Sequence, residues 1–223
     1  GAGDVCVGGA IAAMNVRLCL LCLAAGCAGA PDRSALRESD YPGTLRPPRA
    51  LPFDVVWQQR VTASWGDGQQ RGFDAAVQKR DDTLTVLGLS PMGSVGFSIV
   101  MPPTGALEVS NATGEAMPFP PRFILLDVQR AFYPWLEPVE AAGDRTGEVD
   151  GETIVEIWRD GRLRRRVFTR ADRAGQIRVD YEWGEAGWRG PTHVRLANGW
   201  FGYELAVDTH AETLLPAAEG TGR

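Results

Sequence analysis

Two histidines, His193 and His210, are the side chains best suited to acid–base or metal chemistry in this chain of 223 residues. Neither sits in a pattern that would use it. They lack HExxH spacing, which would put two imidazoles on one helical face around a metal, and no serine occupies a strand–turn–helix nucleophile elbow. The four cysteines are Cys6, Cys19, Cys22 and Cys27. Everything after Cys27 therefore lacks a thiol nucleophile, a disulfide and a cysteine-based metal site. The chain reads as non-enzymatic, with no metal and no cofactor other than a covalent lipid on Cys27, argued below. One basic run, RLRRR at Arg162–Arg166, remains. On a strand it places Arg162, Arg164 and Arg166 on one side and Leu163, Arg165 and Val167 on the other. Such a run is usually a solvated face paired with nearby acids. Arg165 is the odd member, because an inward guanidinium could contact an anionic headgroup or carboxylate.

Cys27 offers covalent chemistry of another kind. From Met14 the sequence reads MNVRLCLLCLAAGC, with a positive charge at Arg17 and an apolar run from Leu18 to Ala25. The run is too short to span a bilayer and suits the middle region of a secretory signal peptide. Ala24-Ala25-Gly26 before Cys27 resembles the lipobox of bacterial lipoproteins, which implies cleavage before Cys27 and lipidation of that residue. Ala28, in place of aspartate, resembles the sorting signal for the outer membrane, so the expected location is its periplasmic face, held by a lipid anchor.

These features divide the chain. Residues 1–13 read as an upstream extension, 14–26 as a lipoprotein signal peptide and 27–52 as a lipidated tether, rich in proline, glycine and charge. Residues 53–210 form one domain, long enough to bury a substantial core, and 211–223 read as a disordered tail. A net charge of −5, with Lys79 the one lysine among 23 basic residues, argues against a nucleic-acid partner. The expected state is a monomer.

Within the domain, period-two alternation dominates. Val55, Trp57, Val61, Ala63 and Trp65 share one side of a long strand, and Ile177, Val179, Tyr181 and Trp183 share one side of another. Phe201, Tyr203, Leu205 and Val207 repeat the pattern. Such strands build an antiparallel sheet with one wet face and one apolar face. PFPPRFILLDVQRAFYPWL, residues 118–136, interrupts the rhythm. It predicts a helix that opens at Pro121 and closes before Pro134. Ile124, Leu125, Val128, Ala131 and Phe132 form its apolar side, while Phe123 and Leu126 fall among Arg122, Asp127 and Arg130. About ten strands and one principal helix predict an α+β, mainly β fold: an incomplete antiparallel barrel with the helix plugging its concave face. A turn at Ser90-Pro91-Met92-Gly93 has proline at its first central position and glycine at its last, which leaves Met92 facing water.

LTVLGLSPMGSVGFSIV resembles the strand–turn–strand of the LolA/LolB-like superfamily, in which LolB-type receptors carry an Asn-Pro-Leu-Gly tip between two apolar strands. The proline-rich entry into the helix and the closing GPTHVRLANGWFGYELAVD are similar to that superfamily's layout, in order along the mature chain. The chain is more similar still to an uncharacterised family of bacterial lipoproteins placed there. NATGEA stands where the receptors have a further helical stretch. The resemblance implies a half-barrel that accepts acyl chains, lipids or lipoproteins, with a periplasmic carrier protein as candidate donor, and inserts them into the outer membrane. It implies that Met92, with Pro91 and Leu89, is the tip contacting membrane or cargo. The cavity walls expected on this reading are Trp57, Phe97, Ile99, Phe123, Leu126, Tyr181, Trp183 and Tyr203. The alternative is a non-catalytic, membrane-tethered interaction protein whose core is filled by its own side chains.

Overall fold

The computed structural model describes residues 36–66, 68–90, 92–112, 114, 117, 119–137, 143–184 and 187–216. The extension, the signal peptide, Cys27, Pro91 and residues 217–223 lie outside the described residues. The strands are β1 (Val55–Trp65), β2 (Gln69–Arg80), β3 (Thr83–Leu89), β4 (Val95–Met101), β5 (Glu108–Asn111), β6 (Asp144–Val149), β7 (Glu152–Arg159), β8 (Arg162–Arg170), β9 (Arg173–Glu182), β10 (His193–Asn198) and β11 (Tyr203–Leu214). Among the described residues one α-helix, α1 (Pro121–Phe132), separates β5 from β6.

All strands join one antiparallel sheet in the order β5-β4-β3-β2-β1-β11-β10-β9-β8-β7-β6. Two meanders thus meet along β1 and β11, whose paired stretch runs from Val55↔Leu214 to Trp65↔Tyr203. The edge strands β5 and β6 do not pair with each other, so the sheet stays open. This is the expected half-barrel, with α1 across its concave face. Short hairpins make the meanders possible. Asp150-Gly151 and Asp160-Gly161 take φ values of 53/73° and 53/68°, the left-handed pair whose twist matches that of the flanking strands.

Alternation places the core as read. Val55, Trp57, Val61 and Ala63 on β1 are buried, as are Ile177, Val179 and Tyr181 on β9. Gln59 also falls on the inner side of β1 and is satisfied there by Thr209 Oγ1 at 3.3 Å.

The segment expected to be a tether does not behave as one after residue 40. Tyr41, Pro48 and Leu51 are buried, and short 3-10 turns at Glu38–Asp40 and Pro48–Ala50 fold the chain over α1. Proline and glycine content gave the wrong signal because these residues shape a strap whose polar backbone is satisfied by the helix. Gln129 donates to the Arg46 carbonyl at 2.7 Å and accepts from the Arg46 N–H at 2.8 Å. Arg122 donates to the carbonyls of Glu38, Tyr41 and Gly43. The other boundary moves too. β11 runs to Leu214, and the Leu215 N–H bonds the Asp54 carbonyl at 2.9 Å, so the ordered domain extends past residue 210.

The strap also overturns the wheel reading of α1. Asp127, Gln129 and Arg130 are buried, while Ile124, Val128 and Phe132 are only partly so. The helix is enclosed on both sides: its polar side by the strap and the β7–β11 half of the sheet, its apolar side by a cavity.

Candidate functional site

The apolar side of α1 faces β1, β2 and their neighbours across an incompletely filled space. Ile124, Val128, Ala131 and Phe132 supply the helical wall; Val61, Ala63, Ala75, Val77 and Val86 supply the floor. Small residues at Ala63 and Ala75 leave room that larger ones would take. The free volume is about 70 Å3, less than the ~150 Å3 of an apolar cavity that admits benzene. The half-buried Phe73 and Phe97 stand at one edge, their ring centroids 6.2 Å apart. Phe97 lies over Gly88, where a Cβ would come within 2.1 Å of the ring; the glycine lets the aromatic wall close against β3.

From this edge the β3–β4 hairpin runs outward. The Ser90 N–H bonds the Ser94 carbonyl at 2.8 Å, the Gly93 N–H bonds the Ser90 carbonyl at 2.8 Å, and the two serine hydroxyls meet at 2.7 Å. Gly93 takes φ 77°. Met92 is 94% exposed at the tip and Val95 is 46% exposed, so Met92 does not fold back onto Leu89 or Phe97. Leu89, half-buried on β3, pairs with Val95 and with Asp74 of β2, so both apolar residues lie on the sheet face opposite Phe97 and the cavity.

Behind the cavity, α1 is held by a buried polar cluster. Asp127 accepts hydrogen bonds from the hydroxyls of Tyr41 and Tyr203, both at 2.5 Å. Asn198 donates to the same two hydroxyls at 2.9 Å each. Burial pushes the Asp127 carboxyl up to about 6, against the pull of the Tyr203 and Tyr41 hydrogen bonds and the Arg130 charge. Burial likewise raises the Tyr41 and Tyr203 phenols well above their ordinary value. Arg130 bonds both oxygens of Glu152, at 2.8 and 3.0 Å. Its guanidinium lies 4.6 Å from the Tyr41 ring, 5.2 Å from Phe168 and 5.5 Å from Trp200, an aromatic cage around a buried cation.

A second opening, of about 280 Å3, lies past the C-terminal end of α1. Trp57, Trp158, Tyr181 and Trp183 line it together with Phe53 and Tyr133. Its inner wall carries the buried Arg166, which meets Glu156 at 2.7 Å and donates to the Arg130 carbonyl at 2.8 Å and the Tyr181 hydroxyl at 3.2 Å. Burial, outweighing the Arg166 charge, pushes the Tyr181 phenol up to about 12. Glu212 fixes one rim, accepting from the Trp57 indole at 2.9 Å and from the N–H groups of Arg189 and Gly190 at 2.7 and 2.8 Å.

The expected wall residues thus divide. Phe97 lines the apolar cavity, and Trp57, Tyr181 and Trp183 line the second opening. Ile99 on β4 is fully buried in the core, as are Phe123 and Leu126, which α1 turns toward the strap and sheet, and none of the three lines either space. Tyr203 serves the Asp127 cluster. Arg165 is corrected: it points outward and bonds Asp180 at 2.5 Å. A register shift opposite Ile157/Trp158 pairs Ile157 with Arg165 and Trp158 with Leu163, leaving Arg164 as an extra residue. Strict alternation fails across that bulge, and Arg166 becomes the inward guanidinium. Asp127, Arg130 and Tyr41 were also missed. An i, i+3 pair of opposite charges beside Phe123 and Leu126 is their one trace in the sequence.

His193 contacts Asp208 at 2.7 Å on an exposed strand face. Among the described residues no group of three or more His, Cys, Asp or Glu side chains is placed to hold a metal, and no helix is long and apolar enough to cross a membrane.

Strands, strap and helix define an open antiparallel half-barrel with an apolar space under one helix. The chain belongs to the family described as a protein of unknown function (DUF3261), whose pattern matches residues 56–211. Solved structures similar to it include a LolA superfamily protein, NE2245, from Nitrosomonas europaea, at 13% identity over 75% of this chain and 88% of that one, with a TM-score of 0.43. A putative outer membrane lipoprotein-sorting protein domain from Vibrio parahaemolyticus is 11% identical over 75% and 88%, with a TM-score of 0.46. A DUF1329 family protein from Desulfovibrio piger is 14% identical over 76% and 87%, with a TM-score of 0.29. Comparison with curated proteins finds no match.

Proposed function

We propose that this is a non-catalytic, lipid-anchored protein of the periplasmic face of the outer membrane that takes up acyl chains or lipidated cargo beneath α1 and helps insert them into that membrane. The carrying observation is the exposed Met92 at the tip of the hairpin whose two strands, β3 and β4, also supply Val86 and Phe97 to the cavity wall. A tip that enters lipid and a cavity that holds lipid are thereby joined by one hairpin. Anchoring falls to a lipid on Cys27, and an anchored domain needs only weak, reversible contact at its tip. The present volume cannot hold a chain, so uptake requires α1 to move away from β1 and β2. That displacement trades Ile124, Val128 and Phe132 contacts for equivalent contacts with the ligand.

The small volume favours a second reading, in which the cavity is closed by its own side chains and the domain serves as a tethered interaction module. Titration with a fluorescent acyl probe separates the two. Saturable binding, displaced by unlabelled chains and reduced at least about tenfold by the space-filling Ala75→Leu or Val86→Phe, supports uptake. Absence of probe binding by a folded wild-type protein supports the second reading and overturns the first.

A further inference from the structure

The two openings are neighbours. Ala131 and Phe132 line both, and Phe132 stacks against Trp57 with ring centroids 4.8 Å apart. One side of this partition is almost wholly apolar. The other combines tryptophan walls with charge: Arg145, Arg166 and Arg189 against Glu156 alone among the lining residues. With Glu212 on the rim, three arginines face two carboxylates, and a local excess of positive charge in a chain of net charge −5 is a departure that a core does not require.

The three arginines differ in availability. Arg166 is neutralised by Glu156, both being almost fully buried, and keeps the inner wall polar. Arg145 lies over the Trp158 ring at 4.6 Å, which fixes its plane at the opening. Arg189 has its backbone held by Glu212, whereas its exposed guanidinium has no ion-pair partner among the described residues. Tyr133, also lining this cleft, buries a hydroxyl that makes no hydrogen bond among the described residues, a donor the fold itself does not use.

We infer that the cleft is a headgroup subsite for an anionic single-chain amphiphile, a carboxylate or phosphate monoester whose tail passes Phe132 into the space beneath α1. This rests on the acyl-binding reading above and specifies its ligand. Planar guanidinium groups at a tryptophan-lined opening favour either anion through charge-assisted hydrogen bonds. A volume of about 280 Å3, just under the ~300–1,000 Å3 usual for small-molecule pockets, suits one head and a few carbons rather than a multiply acylated group.

The test is titration of the purified full-length chain, below micellar concentrations, with dodecanoate, dodecyl phosphate, dodecanol and dodecyltrimethylammonium. Tryptophan fluorescence and calorimetry report binding. The two anions should bind about tenfold or more tightly than the neutral and cationic chains. The double variant Arg145→Gln/Arg189→Glu should bring dodecanoate down to the affinity of dodecanol. A lead by either anion supports the subsite, and their order distinguishes carboxylate from phosphate. Equal binding of all four chains overturns the headgroup subsite while leaving acyl uptake intact. An anion preference that survives in the double variant also overturns it, by placing the anion elsewhere. If none of the four binds, acyl uptake falls together with it.

Discussion

Met92 carries the sharpest consequence at the scale of one residue. Its side chain touches almost nothing in the fold, so Met92→Glu leaves stability unchanged, as surface substitutions generally do. Moving a methionine side chain from water into hydrocarbon is worth about 1.5–3 kcal/mol. Losing that gain should weaken partitioning of the domain onto lipid vesicles roughly ten- to hundredfold, measured by vesicle flotation beside an unchanged thermal midpoint. Unaltered flotation would remove the tip from the mechanism. Asp127 makes a different prediction, through pH. Its folded pKa, about 6, exceeds its ordinary 3.8, so this group takes up protons on folding. Its ionisation therefore costs nothing below pH 3.8, costs more as the pH rises toward 6, and levels off above that. The full penalty is roughly 3 kcal/mol. Urea unfolding of wild type and Asp127→Asn at intervals from pH 4 to pH 7 should show the difference between them shifting in the variant's favour by that order. A constant difference would mean that the carboxyl is ionised throughout.

At the scale of elements, α1 is fastened by groups that do not belong to its apolar side. Gln129 forms two hydrogen bonds with the Arg46 backbone, and Gln129→Leu would strand both Arg46 groups at a cost of about 1–3 kcal/mol. The signature would be early proteolysis within residues 36–52, since the strap loses its hold before the sheet does. Cleavage confined to the β3–β4 hairpin would contradict this. The same fastening explains what could be read from the sequence. Strands were legible because period-two burial is a local property: β9 shows it in Ile177, Val179 and Tyr181. The helix was legible from Pro121 and Pro134, which bound it. The strap was not, because Tyr41 and Leu51 are isolated in sequence and find partners on α1 and the sheet only through long-range contact. Arg166 was hidden for another reason. One extra residue at Arg164 reverses the side on which every later residue of β8 falls, and nothing in RLRRR marks where a bulge will form.

At the scale of the whole molecule, the half-barrel is two meanders sharing one seam, and its stability should be graded accordingly. β1 and β11 lie at the centre of the sheet and pair along their whole length, whereas β5 is a four-residue edge strand with every residue exposed. Amide hydrogen exchange should be slowest along β1 and β11 and fastest in β5 and β6, since local opening begins where few contacts must break. This gradient leaves a rigid frame against which α1 and its strap can move as a unit, because their mutual bonds through Gln129, Arg122 and Tyr41 need not break when the helix leaves the sheet. The unit is tied to the sheet near its Pro121 end by Asp127–Tyr203, Asn198–Tyr41 and Arg173–Asp40 and at Arg130 by the Glu152 pair and the Arg166 and Tyr181 bonds to its carbonyl; the second set is the costlier, since separating a buried pair costs about 3–5 kcal/mol. Helix displacement should therefore pivot about Arg130 and open from its Pro121 end, breaking Asp127–Tyr203 and Asn198–Tyr41 while keeping Arg130–Glu152. Exchange measured with and without dodecanoate tests this directly. Ligand should accelerate exchange in Phe123–Val128 and leave β1, β11 and Glu152 protected. Uniform acceleration that includes β7 would show the ion pair opening too, and no change in α1 would show that the helix does not move at all.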